Sequence, residues 1–316
     1  MKKILILAGV LSVILSGCNT AVENSATAFL MNTVVNIKAD APYDTVNGAL
    51  ELCRGLDKKL SRTDEGSEIY KLNAAGSAQV SADTADLIKS ALSFCELTNG
   101  RLDITVGKLS DTWNFSSATD IPSPEKINEA LKTVNYKNIE VSGESIKTNG
   151  SMLDLGAVAK GYACNKVKEY FEQNGIKNAV ANLGGNVLVM GEDDYTVGIK
   201  NPFKTDEIYA KIKVKNTSVV TSGTYERYIE SGGKKYHHIL DTSTGYPADT
   251  DIVSVSVICG DSLKADAYST ICLIYGSEAA LELINATENI ECIIITKDGE
   301  IKISSGIFCE DGVYRL

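Results

Sequence analysis

The chain has no CxxC pair, no Walker A loop and no GxGxxG turn, and it has only two histidines. After the first fifteen residues it has no second long apolar run. Each shortage excludes something. Without a zinc spacing, the eight cysteines do not form a structural zinc set. Without either glycine fingerprint, a bound nucleotide is held by other means than a P-loop or a Rossmann turn. Basic residues are also short, with 31 Lys and Arg against 41 Asp and Glu. A nucleic-acid partner demands a basic surface, so this balance argues against one. No repeat and no low-complexity linker interrupts residues 29–316, which read as one domain.

The start of the chain reads as an address. Lys2 and Lys3 precede an apolar run, Ile4 to Leu15, and then Leu15-Ser-Gly-Cys18. The run is too short for a comfortable membrane span. Residues 1–17 resemble a lipoprotein signal peptide cut before Cys18, whose sulfur would carry lipid. An ordinary secretory leader or a short membrane anchor is the alternative. Residues 18–28 are small and polar after Cys18, as suits a tether. These features place the domain at the cell membrane, lipid-anchored on the extracytoplasmic face. Without Lys2 and Lys3 the net charge is −12, from 29 basic and 41 acidic residues. The other seven cysteines sit mostly in apolar runs, such as Val257-Ile-Cys259, and read as buried, reduced thiols.

Periodicity changes repeatedly along the domain. Met31 to Ala39 alternates like a strand, and Asp44 to Leu60 carries a helical apolar stripe. Helices are predicted over 84–97, 124–133, 157–173, 261–275 and 277–286. Short strands are predicted near 137–141 and 145–148. Between 178 and 258 the pattern is mostly β, and Lys297-Asp-Gly299 marks a closing hairpin over 291–303. Without a regular βαβ beat, the fold class is α+β, with mixed, largely antiparallel sheets and flanking helices.

Three stretches put reactive side chains among small residues. In Met152-Leu-Asp154-Leu-Gly-Ala157-Val-Ala-Lys160, a carboxylate and a cation flank a turn that opens a helix. Such a helix start offers unpaired N–H groups to an anion. His237 and His238 precede Ile-Leu240-Asp241; adjacent strand residues face opposite ways, so at most one faces a shared cleft. In Ala265-Asp266-Ala-Tyr-Ser-Thr270, an acid and a hydroxyl stand one helical turn apart. Asp266 lies among apolar residues, where a carboxylate needs a partner. Together they suit a hard divalent metal and a phosphate-rich ligand. Capping, turn formation and close packing are the purely structural readings of the same residues.

In order, these motifs resemble the ApbE family of flavin transferases over essentially all of residues 29–316. The matching pieces are Met31-Asn-Thr33, Ser67-Glu68-Ile69 with Leu72-Asn73, Gly100-Arg-Leu-Asp103-Ile-Thr-Val-Gly107, Asp154-Leu-Gly-Ala-Val-Ala-Lys160-Gly, Asn182-Leu-Gly-Gly-Asn186, Thr221-Ser-Gly223, His238-Ile-Leu-Asp241 and Ala265-Asp-Ala267 with Thr270. The resemblance implies a transferase that splits FAD, passes FMN to a threonine hydroxyl of a partner and releases AMP. It implies Mg²⁺ held by Asp266, Thr270 and the Ala157 carbonyl. It places FAD contacts at Met31, Thr63, Arg101, Leu102, Asp103, Asp154, Lys160 and Leu240, and the proton acceptor at His238. The implied partner is an exported flavoprotein or electron-transport subunit with an Asp-Gly-x-Ser/Thr-Gly-Ala-Thr type of motif, which this chain lacks. One departure stands out. Many members carry an aromatic cover over the flavin where this chain has Thr63, which favours an FAD pyrophosphatase as the rival function. A non-catalytic flavin-binding lipoprotein is a third reading.

Overall fold

A computed structural model describes residues 23–204 and 206–316. The leader, Cys18 and the first part of the expected tether lie outside the described residues. The rest of that tether is not a tether. Glu23–Leu30 is a strand paired antiparallel with Thr33–Asp40, because Ala26 and Leu30 turn inward into the core. Met31 and Asn32, both at positive φ (51° and 58°), make the tight turn between them. The strand expected from Met31 therefore begins at Thr33.

The hairpin opens an eight-stranded, wholly antiparallel sheet. Its order continues through Ala179–Leu183, Asn186–Met190, Thr217–Gly223, Ile252–Cys259, Ile290–Thr296 and Ile301–Ile303. Both faces of its centre are buried, so Val220 packs into one apolar layer and its neighbour Val219 into the other. One layer holds helices; the other meets a four-stranded sheet that includes Tyr195–Lys200 and Ile208–Val214.

Among the described residues there are eight α-helices: α1 (Tyr43–Leu60), α2 (Glu68–Ala75), α3 (Ala82–Leu97), α4 (Gly107–Trp113), α5 (Pro124–Leu131), α6 (Ala159–Gln173), α7 (Ser262–Tyr275) and α8 (Ser277–Asn285). The α+β reading holds. The stripe of α1 is buried at Val46, Ala49, Leu50, Cys53, Leu56 and Leu60. Of the described cysteines, six are buried thiols, and Cys309 is exposed. A C-terminal hairpin, Phe308–Glu310 with Val313–Arg315, completes the second sheet.

Two contacts position the chemistry. Helices α6 and α7 cross so closely that a Cβ on Gly161 would lie 2.7 Å from both Asp266 Cβ and Leu263 Cα. Only glycine fits there without moving a helix. The ribbon Tyr228–Ser231 with Lys234–His237 then brings the histidines to the end of the sheet's Thr217–Gly223 strand.

Candidate active site

Asp266 sits in the second turn of α7, 3% exposed. Its Oδ2 accepts the Gly161 N–H at 2.8 Å. In a continued helix that N–H would go to the Ala157 carbonyl. Here α6 starts only at Ala159: the Ala159 N–H donates to the Leu155 carbonyl at 2.9 Å and the Tyr162 N–H to the Val158 carbonyl at 3.0 Å, with no backbone bond from Gly161 to Ala157. Among the described residues the Ala157 carbonyl accepts no hydrogen bond. The diverted amide thus leaves a carbonyl oxygen and a carboxylate oxygen open at the same helix start. Thr270, half-buried, follows Asp266 by one turn, with its Oγ1 3.5 Å from the Asp266 carbonyl.

Burial raises the Asp266 carboxyl to about 6; Lys160 and the Gly161 N–H pull it back, and Glu226 pushes it further up. No three His, Cys, Asp or Glu side chains cluster as metal ligands among the described residues. A cation at Asp266 would therefore meet one carboxylate and neutral oxygens. That donor chemistry suits a hard cation that keeps other ligands on its substrate.

Asp154 lies at the other end of the same turn. Its Oδ1 accepts the Gly156 N–H at 2.9 Å, and its Oδ2 accepts Arg62 Nε at 2.9 Å. Burial works to raise its carboxyl, but Arg62, the Gly156 amide and Ser110 outweigh burial and hold it below the usual range. Arg62 also grips Asp111. This double ion pair fixes the segment carrying Thr63, which is exposed. Sequence reasoning passed over Arg62, because its partner lies 92 residues away.

The two histidines divide as their alternation predicts. His237 is buried, with Nε2 2.8 Å from the Ala248 carbonyl and Nδ1 accepting the Ile239 N–H at 3.3 Å. Both of its nitrogens are spent on structure. His238 is half-buried, and its Nδ1 lies 3.3 Å from the Arg227 carbonyl. A carbonyl only accepts, so Nδ1 carries the proton and Nε2 is left with its lone pair. Burial first, then Arg227, His237 and Lys160, push the His238 pKa down to about 3. The imidazole is neutral across the physiological range.

The remaining expected contacts fall into three groups. Met31 stands in the turn of the first hairpin and is partly buried against the core, while Thr33 beside it packs on Gly184. Arg101, Leu102 and Leu240 gather at a separate corner, where Arg101 Nη2 donates to Asp241 Oδ2 and to the Ile274 carbonyl, each at 3.1 Å. Leu102 and Leu240 are buried at 5% and 7% exposure, so they shape that corner by packing. Asp103 is turned inward. Its Oδ1 accepts the Thr105 N–H and O–H, and its Oδ2 accepts the Tyr136 N–H. Both of its oxygens are engaged by the fold, and this carboxylate holds the loop. A surface concavity of about 630 Å³ beside Glu125, Glu129 and Lys132 contains none of these groups.

With this geometry in hand, known proteins bear a clear likeness. The model of the ApbE family matches residues 31–294. The FAD:protein FMN transferase of Treponema pallidum is 32% identical over 303 residues, covering 86% of this chain and 84% of that protein. The protein of the same name from Klebsiella pneumoniae is 31% identical over 291 residues, covering 89% and 92%. The crystal structure of the ApbE protein of Thermotoga maritima superposes with a TM-score of 0.83 at 33% identity, covering 90% of this chain and 97% of that one.

Proposed function

The chain belongs to the ApbE family, and from that premise we propose that it is an FAD:protein FMN transferase acting on an exported acceptor. The observation that carries this reading is an open oxygen donor set at the start of α6 together with a neutral histidine within electrostatic reach of Lys160 on that helix. Asp266, the Ala157 carbonyl and Thr270 would hold Mg²⁺. Bound there, Mg²⁺ would supply positive charge to the FAD pyrophosphate.

The chain's own residues do the rest. Lys160, within electrostatic reach of both Asp266 and His238, favours an anionic ligand between them. His238 Nε2 takes the proton of the acceptor threonine as its oxygen forms a bond to the FMN phosphorus. The bond from that phosphorus to the bridging oxygen breaks, and AMP departs. An anion in the site offsets the field of Arg227, His237 and Lys160, and so lifts the imidazole from about 3 towards a useful basicity.

The test is a mass spectrum of a peptide bearing the Asp-Gly-x-Ser/Thr-Gly-Ala-Thr type of motif, after incubation with the protein, FAD and Mg²⁺. The expected outcome is a peptide heavier by FMN, with AMP formed in equal amount. AMP and free FMN over an unlabelled peptide would favour the FAD pyrophosphatase, which the exposed Thr63 supports. FAD binding without either product would leave a flavin carrier.

The same reading places the protein on the outer face of the cell membrane, held by lipid on Cys18. Cys18→Ser is expected to abolish processing and lipid attachment. A variant that stays membrane-bound at the wild-type size would overturn the anchor.

A further inference from the structure

We propose that the Arg227 guanidinium binds the phosphate group attacked by the threonine that His238 deprotonates, an inference that rests on the transfer reading above. The chain has five arginines. Four are held by carboxylates: Arg54 by Glu51 at 3.1 Å, Arg62 by Asp154 at 2.9 Å, Arg101 by Asp241 at 3.1 Å and Arg315 by Glu310 at 3.0 Å. The Arg227 guanidinium alone makes no ion pair or hydrogen bond among the described residues, although Glu226 adjoins it in sequence. In a chain with an excess of acid, this is the exception to explain.

Its place is set by strand register. Tyr228 pairs with His237 in the ribbon, so one step further Arg227 stands opposite His238. The His238 N–H donates to the Arg227 carbonyl at 3.1 Å, which confirms the alignment. Residues directly opposite in an antiparallel pair project to one side, with Cβ atoms about 5 Å apart. The backbone of Arg227 therefore fixes the histidine tautomer while its side chain projects beside the imidazole.

Lys160 approaches the same imidazole from α6. Two cations brought from separate elements to one base both act on His238, and no carboxylate is among the groups that shift it. A phosphate offers two oxygens in the geometry of the guanidinium fork, which a lysine ammonium cannot match. Arg227 thus suits the phosphoryl oxygens during transfer, and Lys160 provides diffuse positive charge nearby.

Wild type, Arg227→Ala and Arg227→Lys are to be compared in FAD binding by flavin fluorescence and in FMN transfer to the acceptor peptide by mass, both with Mg²⁺. The substitutions keep the backbone carbonyl, so the histidine tautomer is preserved. Arg227→Ala is expected to bind FAD about tenfold more weakly and to transfer about 100-fold more slowly, as when one stabilising donor is lost. Arg227→Lys is expected to recover less than tenfold of that rate. The melting temperature is expected to stay unchanged, because no ion pair is broken. Binding and transfer within twofold of wild type in Arg227→Ala, or full rate in Arg227→Lys, overturns the assignment. If the wild type binds FAD but labels no peptide, the transfer reading fails while Arg227 is judged on binding: a tenfold loss in Arg227→Ala keeps the phosphate contact, and no loss ends it. A wild type that binds no FAD overturns both.

Discussion

Asp103 and Asp266 are both nearly inaccessible carboxylates, 5% and 3% exposed, and burial raises the pKa of each. Around Asp103 the chain answers that burial. Two backbone N–H groups and a hydroxyl occupy its oxygens, and the carboxylate stitches the 103–105 loop to Tyr136. Around Asp266 the answer is incomplete. One amide reaches Oδ2, and that amide has been taken from the Ala157 carbonyl, which is left without a donor. The difference separates an acid saturated by the fold from one with an oxygen still open, which sequence could not do.

The largest expected effect breaks or keeps that contrast. Asp266→Asn removes the only carboxylate of the donor set, and FMN transfer is expected to fall by about 10³-fold or more with an unchanged circular dichroism spectrum. Asp103→Asn places an amide NH₂ against an N–H donor and is expected to cost about 1–3 kcal/mol of stability. Its melting temperature should drop while the folded enzyme keeps most of its turnover. If the two variants lose activity alike at full folding, the contrast is wrong.

The histidines sharpen the same distinction. His238→Ala deletes a base with a free Nε2, and the expected loss of transfer is about 10²–10⁴-fold with FAD binding retained. His237→Ala deletes two internal hydrogen bonds and is expected to appear as lost stability instead. Transfer rates and thermal melts of the pair decide the matter.

A third test uses pH. The folded Asp266 carboxyl titrates at about 6, above its usual 3.8. The folded state therefore holds the proton more tightly, and stability is lost as pH rises between those values. By the shift, the metal-free protein above pH 6 carries a penalty of about 3 kcal/mol. The proposed Mg²⁺ site needs the ionised carboxylate, so its occupancy would relieve that penalty. Added Mg²⁺ should raise the melting temperature clearly at pH 7.5 and little at pH 5, and Asp266→Asn should melt higher than wild type at pH 7.5 without metal. An equal response to Mg²⁺ at both pH values would refute the linkage.

Much of this was legible in the sequence, and the failures have physical causes. The stripe of α1 and the apolar neighbours of Asp266 announce burial directly, since period and composition are local properties. The first strand was hidden because only Ala26 and Leu30 of its eight residues are buried. Helix α2 was hidden for a similar reason, having two buried positions, Ile69 and Leu72, between the Ser67 cap and the left-handed Gly76. In the site, the motif positions of Asp154, Lys160, His238 and Asp266 were readable. Their partners were not, because Arg62 reaches Asp154 and Gly161 reaches Asp266 only after the chain has folded across 92 and 105 residues. The orientation of Asp103 was equally invisible, since the same letters serve an inward or an outward carboxylate.

The smallest expected effect concerns Thr63, where the two ends of the Asp154 turn differ in cover. Asp266 lies against the α6–α7 crossing, whereas Thr63 and Asp64 are exposed and Arg62 ties their segment to Asp154. On the proposed reading, water reaching the pyrophosphate from that side would compete with the acceptor hydroxyl. A larger ring there would exclude water without touching the charges that fix the segment. Thr63→Tyr is therefore expected to lower the ratio of free FMN to peptide-bound FMN by about threefold, which is under 1 kcal/mol of barrier difference. The ratio is read by separating free flavin from labelled peptide at equal AMP release. Because Arg62 keeps its grip on Asp154 in this variant, total FAD cleavage should change little. A ratio unchanged by the ring would mean that water enters elsewhere, and that the exposed 61–64 segment does not set the balance between transfer and hydrolysis.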